Sequence, residues 1–112
     1  PQRRPYPDPP RNVSLNEETK RVTVDGETVT LTPLEYNILH LLIRSPGRIY
    51  SSAQIYEAVW NEDSLGAETS VAVHIRHLRS KIEIDPTEPR YLKVVWGKGY
   101  KMEERRNEKA AR

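Results

Sequence analysis

The segment SVAVHIRHLRSKI, residues 70–82, leaves the chain few options. With Val71 set at zero and an advance of about 100° per residue, Ile75, Leu78 and Ile82 all fall within about 40° of it. That spacing does not suit a strand, whose faces alternate at every second residue. It predicts an amphipathic helix over about 68–83 that buries a narrow stripe against other elements. The opposite side carries Thr69, Val73, Arg76, His77 and Ser80, with Ser70 and Lys81 at one edge and Arg79 at the other. No acid falls between Thr69 and Lys81. A solvated face ordinarily mixes both signs, because oppositely charged neighbours three or four apart attract.

The partners this helix needs are also legible. In LTPLEYNILHLLI, Thr32 is an N-cap, Pro33 takes the first helical position and Glu35 completes a capping box. Leu31 and Tyr36 stand at staple positions, and Leu34, Ile38, Leu41 and Leu42 form an apolar stripe that Ser45-Pro46-Gly47 ends. Ser51 to Gln54 repeats the device, with Tyr50 and Ile55 as staple and a helix to about Trp60. A short strand, 48–50, separates the two helices. Upstream, Val22 and Val24, the Asp25-Gly26 turn, then Val29 and Leu31 read as an antiparallel hairpin, with a weaker strand over 13–15 beside it. Downstream, 91–96, a Gly97-Lys98-Gly99 turn and 100–102 read as a second hairpin.

A chain of 112 residues suits one domain. The half-proline opening PQRRPYPDPP reads as an interdomain linker, 1–12, before a domain over 13–102 and a charged flexible tail over 103–112. The net charge of +2 hides an asymmetry. Residues 12–73 carry −5, nine acids against Lys20, Arg21, Arg44 and Arg48. Residues 74–101 carry +4, seven Lys and Arg against Glu83, Asp85 and Glu88. One part is thus suited to a polyanion and the other is not.

Cysteine is absent, which removes disulfide and thiolate chemistry. Apolar runs are too short for a membrane span, so a cytoplasmic protein is expected. No nucleophile–base set or cofactor signature points to an enzyme. His74 and His77 are three apart, but they diverge by about 60° around the helix and have no third ligand nearby, so no metal site is expected.

The outer face suits a major groove: Arg reaches guanine edges, His donates to a base or phosphate, and valine meets thymine methyls. A basic helix that only solvates its domain fits the same face equally well. Two consecutive helices followed by a hairpin bearing Lys93, Lys98 and Lys101 favour a winged helix-turn-helix, although the loop over 61–67 is longer than the usual tight turn. A protein-interaction module and a non-specific DNA-binding winged helix are the alternatives.

Taken together, LTPLEYNIL, the serine-capped helix ending in VW, VAVHIRHLRSKI and VVWGKGYK resemble the OmpR/PhoB-type response-regulator DNA-binding domain. HIRHLR with VWGKGYK is most similar to the vancomycin-resistance type of regulator. The resemblance implies an α+β fold: a four-stranded N-terminal antiparallel sheet, a three-helix core and a C-terminal β-hairpin wing. It also implies a phospho-acceptor receiver domain, a sensor kinase, promoter DNA with direct repeats, and dimers on DNA formed from a domain monomeric in isolation. Thr69, Val73, Arg76 and His77 are then expected at bases or nearby phosphates. His74, Arg79 and the Trp60 indole N–H are expected at backbone phosphates, with Lys81 on the same DNA-facing side. Trp96, Lys98 and Tyr100 belong to the wing, and loop 61–67 corresponds to one that touches RNA polymerase in some members. Many members have Arg where this chain has His77 and Trp96. Trp96 is therefore expected either to pack the wing against the third helix or to contact DNA, with Lys98 the groove contact at the tip.

Overall fold

The computed structural model describes residues 13–61 and 66–103. The expected linker and tail, and most of the loop between the second and third helices, lie outside those residues. Two compact units are present, one up to Thr30 and one from Leu31 onward.

The first unit is an antiparallel sheet in the order β1 (Val13–Asn16), β2 (Arg21–Val24) and β3 (Glu27–Val29). Val22 pairs with Leu15 on one side and Val29 on the other. Alternation is strict: Val22 and Val24 are buried while Thr23 between them is not. Asn16 closes the first turn, its Oδ1 accepting from the Glu18 and Thr19 N–H groups at 2.9 and 3.0 Å. Asp25 and Gly26 close the second with φ of 54° and 87°, the paired positive values of the tight hairpin turn expected there. Three strands are seen; the fourth strand that the resemblance implies is not among the described residues.

The second unit holds α1 (Pro33–Ile43), α2 (Ser52–Trp60), α3 (Ala67–Ile82) and a hairpin of β4 (Leu92–Val95) and β5 (Gly99–Met102). Both capping boxes form. Thr32 Oγ1 accepts from Glu35 N–H at 3.2 Å and Glu35 Oε1 accepts from Thr32 N–H at 3.0 Å. Ser51 and Gln54 repeat the exchange at 3.1 and 2.9 Å. Asn61 ends α2 in the left-handed conformation, φ 61°.

The three helices pack on one another around Ile38, Leu39, Leu42, Ile55, Val71, Ile75, Leu78 and Ile82, each at most 1% exposed. All four residues of the expected α3 stripe are in this set. In α1 the buried set differs from the expected one: Leu39, Tyr36 and Glu35 are covered, whereas Leu34 and Leu41 are only partly so. The reason is that α1 meets both other helices and β5, so it buries a wider arc than one stripe.

Strand 48–50 contracts to one bridge, Tyr50 with Tyr100. Gly47 N–H reaches Met102 O, but Arg48 N–H turns back to Ser45 O and leaves the ladder interrupted. Helix α3 ends one residue earlier than expected, because Glu83 is extended, φ −93° and ψ 146°. Its carboxylate instead accepts from the Arg90, Tyr91 and Leu92 N–H groups at 2.8, 3.0 and 2.8 Å, which fixes the start of β4.

Candidate nucleic-acid interface

A groove of about 750 Å³ runs between the first turn of α2, the N-terminal half of α3 and the wing. Ser51 to Ala53 form one wall, Gly66 to Thr69 with Ala72 the second, and Val94 to Tyr100 the third. The α2 wall is a helix N-terminus, whose unpaired N–H groups and positive dipole end favour anions. The residue before its cap pins that wall to the wing: Tyr50 and Tyr100 exchange two backbone hydrogen bonds of 2.8 Å. Gly99 is obligatory at this crossing, since its φ is 145° and a Cβ would stand 2.0 Å from Tyr50 O.

Thr69, Trp96, Lys98 and Tyr100 are brought to this groove. Lys98 N–H donates to Val95 O at 2.9 Å and closes the wing turn, with Gly97 at φ 78° inside it. Trp96 is 87% exposed. That excludes the expected packing of its indole against the third helix: the turn directs the side chain away from the domain.

A second group lies along α3. Tyr56 and Trp60 stack with centroids 4.6 Å apart, Trp60 meets the edge of His74 at 5.2 Å, and His74 meets His77 at 6.3 Å. His74 Nδ1 donates to Ser70 O at 2.8 Å. A carbonyl can only accept, so Nδ1 carries the hydrogen and Nε2 is the free nitrogen. Arg76 and His77 are exposed on the same helix, and Val73 is half-buried.

Two expected DNA contacts are directed elsewhere. Arg79 Nε donates to Leu92 O at 3.0 Å, and one terminal guanidinium nitrogen is buried without an acceptor. Burial pushes the Arg79 guanidinium below its ordinary value, against the opposing influence of Tyr100 and Glu83. Arg79 therefore ties α3 to β4. Lys81 Nζ lies 2.6 Å from Glu35 Oε1, so its ammonium is held by α1. The sequence reading assigned Glu35 only to the cap. Its second task was hidden because its partner lies 46 residues away. Ser52 and Ala53 were also missed as a groove wall, although the Ser51 cap marks that helix end.

Among the described residues no helix is long and apolar enough to cross a membrane, and no cluster of three His, Cys, Asp or Glu is placed to hold a metal.

An antiparallel sheet, three helices and a hairpin wing, in that order along the chain, make this a winged helix of the OmpR/PhoB type. The chain belongs to the family of transcriptional regulatory protein C-terminal domains, whose profile matches residues 26–102. It is 48% identical over 91 residues to a probable transcriptional regulatory protein of Picosynechococcus sp., covering 81% of this chain and 36% of that protein. The chain thus spans well under half the length of the curated relatives it matches. Among solved structures it resembles the Klebsiella pneumoniae RstA DNA-binding domain in complex with the RstA box, at 27% identity and TM-score 0.75, covering 81% of this chain and 90% of that one. It also resembles the response regulator DrrB, a Thermotoga maritima OmpR/PhoB homologue, at 27% identity and TM-score 0.74, covering 82% and 42%.

Proposed function

We propose that this domain is the sequence-specific, double-stranded DNA-binding effector of a two-component transcriptional regulator. The groove carries the reading: it joins the N-terminus of α2, the first turns of α3 and a wing tip bearing Lys98, with Glu68 the one acid among its lining residues. Helix α3 continues from it without an acid between Thr69 and Lys81, so that a phosphate backbone can be held along this face. In this arrangement α3 enters the major groove and presents Thr69, Val73, Arg76 and His77 to base edges. The Trp60 N–H and His74 set the register on phosphates. Lys98 and the exposed Trp96 meet the next minor groove, where an apolar ring acts as a wedge rather than as a cation.

The rest of the regulator follows from the same reading. A receiver domain and its sensor kinase control pairing on promoter direct repeats, and loop 61–67 faces RNA polymerase. One module buries little surface, so linked half-sites raise the effective affinity. The test is selection of duplexes from a random pool by the purified domain at two salt concentrations. A recovered motif of about 5–7 base pairs supports specific readout. Retention without a motif moves the surface to non-specific DNA or protein binding.

A further inference from the structure

Glu35 is an acid on a helix that takes no part in the groove, yet its carboxylate reaches the outer side of α3. The side chain is 3% exposed, and its two oxygens are divided between tasks. Oε1 accepts from Thr32 N–H at 3.0 Å and from Lys81 Nζ at 2.6 Å. Oε2 stands 3.7 Å from His77 Nδ1. A carboxylate removed from water in this way is tolerable only with such partners around it.

We propose that Glu35 is a positioning residue for sequence readout, setting through His77 and Lys81 which groups of α3 are offered to base edges. The proposal rests on the reading of α3 as the helix that enters the major groove. Lys81 carries a flexible stem and three donors, and a free ammonium here would grip any phosphate and add affinity without sequence information. The short charge-assisted bond to Glu35 withdraws it.

His77 has the opposite fate. Its side chain is 56% exposed and available to a ligand, but only the Nδ1 edge faces the carboxylate. An unrestrained imidazole can turn over about χ2 and present either edge to a base. The carboxylate breaks that equivalence, and Nε2 becomes the atom directed outward. The His74 ring, 6.3 Å away and inclined at 62°, bounds His77 from the preceding turn of the same helix. An acid in α1 thereby fixes a reading head on α3 without touching DNA.

The test uses Glu35→Gln, which keeps an acceptor for Thr32 N–H and removes the charge. In the free domain, the imidazole nitrogen resonances of His77 should change in Glu35→Gln while those of His40, on the same helix as Glu35, hold. Unchanged His77 resonances overturn the proposal. On a panel of single-base-pair variants of the selected duplex, Glu35→Gln should lose about fivefold of the discrimination at the positions that His77→Ala affects. Adding Glu35→Gln to His77→Ala should lose nothing more. Uniform weakening across the panel, or lower thermal stability with the ranking of duplexes intact, assigns Glu35 a structural role alone and overturns the proposal.

If the wild-type domain ranks no duplex, DNA readout itself fails, and the histidine resonances still decide whether Glu35 holds His77. Should Glu35→Gln be too unstable to purify, Lys81→Met gives the decision from the other partner. It leaves the carboxylate to His77 and removes an ammonium already withdrawn from DNA, so the discrimination at the His77 positions and the overall affinity should both persist. Loss of that discrimination overturns the proposal.

Discussion

His74 has one nitrogen committed, and that decides what it can offer an anion. With Nδ1 donating to Ser70 O, a neutral ring presents only a lone pair at Nε2, which repels a phosphate oxygen. A donated hydrogen bond at Nε2 requires the imidazolium. His74→Asn should therefore change DNA affinity by a common factor for all duplexes and leave their ranking intact. An affinity unchanged in His74→Asn removes this role. Arg79 makes a different prediction. Because its Nε serves Leu92 O, Arg79→Ala should cost about 1.5–3 kcal/mol of folding stability in a denaturant titration. The salt slope of DNA binding should stay nearly unchanged, whereas a phosphate contact would reduce it by about one.

At the scale of elements, α1 and the wing each hang on a single device. The cap of α1 shares Glu35 with α3. Burial alone would push the Glu35 carboxyl up, but the Lys81 hydrogen bond, the Thr32 N–H and the charges of Lys81 and His77 outweigh it and hold the group below its ordinary value. A carboxyl depressed in the folded state contributes stability that is present above its unfolded value and disappears as the pH falls through the folded one. Thermal melts should show an acid limb below about pH 4 that Glu35→Gln flattens, while stability at neutral pH drops in the same variant. The wing depends on the crossing at Tyr50. Gly99→Ala puts a methyl group into the Tyr50 carbonyl at a φ of 145°, so the bridge must open. The expected result is weakened DNA binding with the helical circular dichroism retained, and earlier amide exchange at Tyr50 and Tyr100.

Across the whole molecule, what was legible in the sequence is what repeats or acts locally. Val71, Ile75, Leu78 and Ile82 are found because a helix has a period, and Thr32 with Glu35 or Ser51 with Gln54 because a cap spans three residues. Contacts set by tertiary folding were not legible. Lys81 and Arg79 read as DNA-facing cations in the sequence, yet their partners within the fold lie 46 and 13 residues away. Leu39 entered the core because α1 is covered from more than one side, and Trp96 left the domain because a tight turn aims it outward. The α2–wing bridge was invisible for the same reason, and it has a mechanical consequence. Since Tyr50 joins β5 directly before the Ser51 cap, two walls of the groove are clamped at a fixed separation. Such a clamp works as a gauge. If a duplex backbone enters the groove as proposed, its width is what the clamp gauges, and local duplex geometry should then contribute to selection at base pairs that no side chain touches.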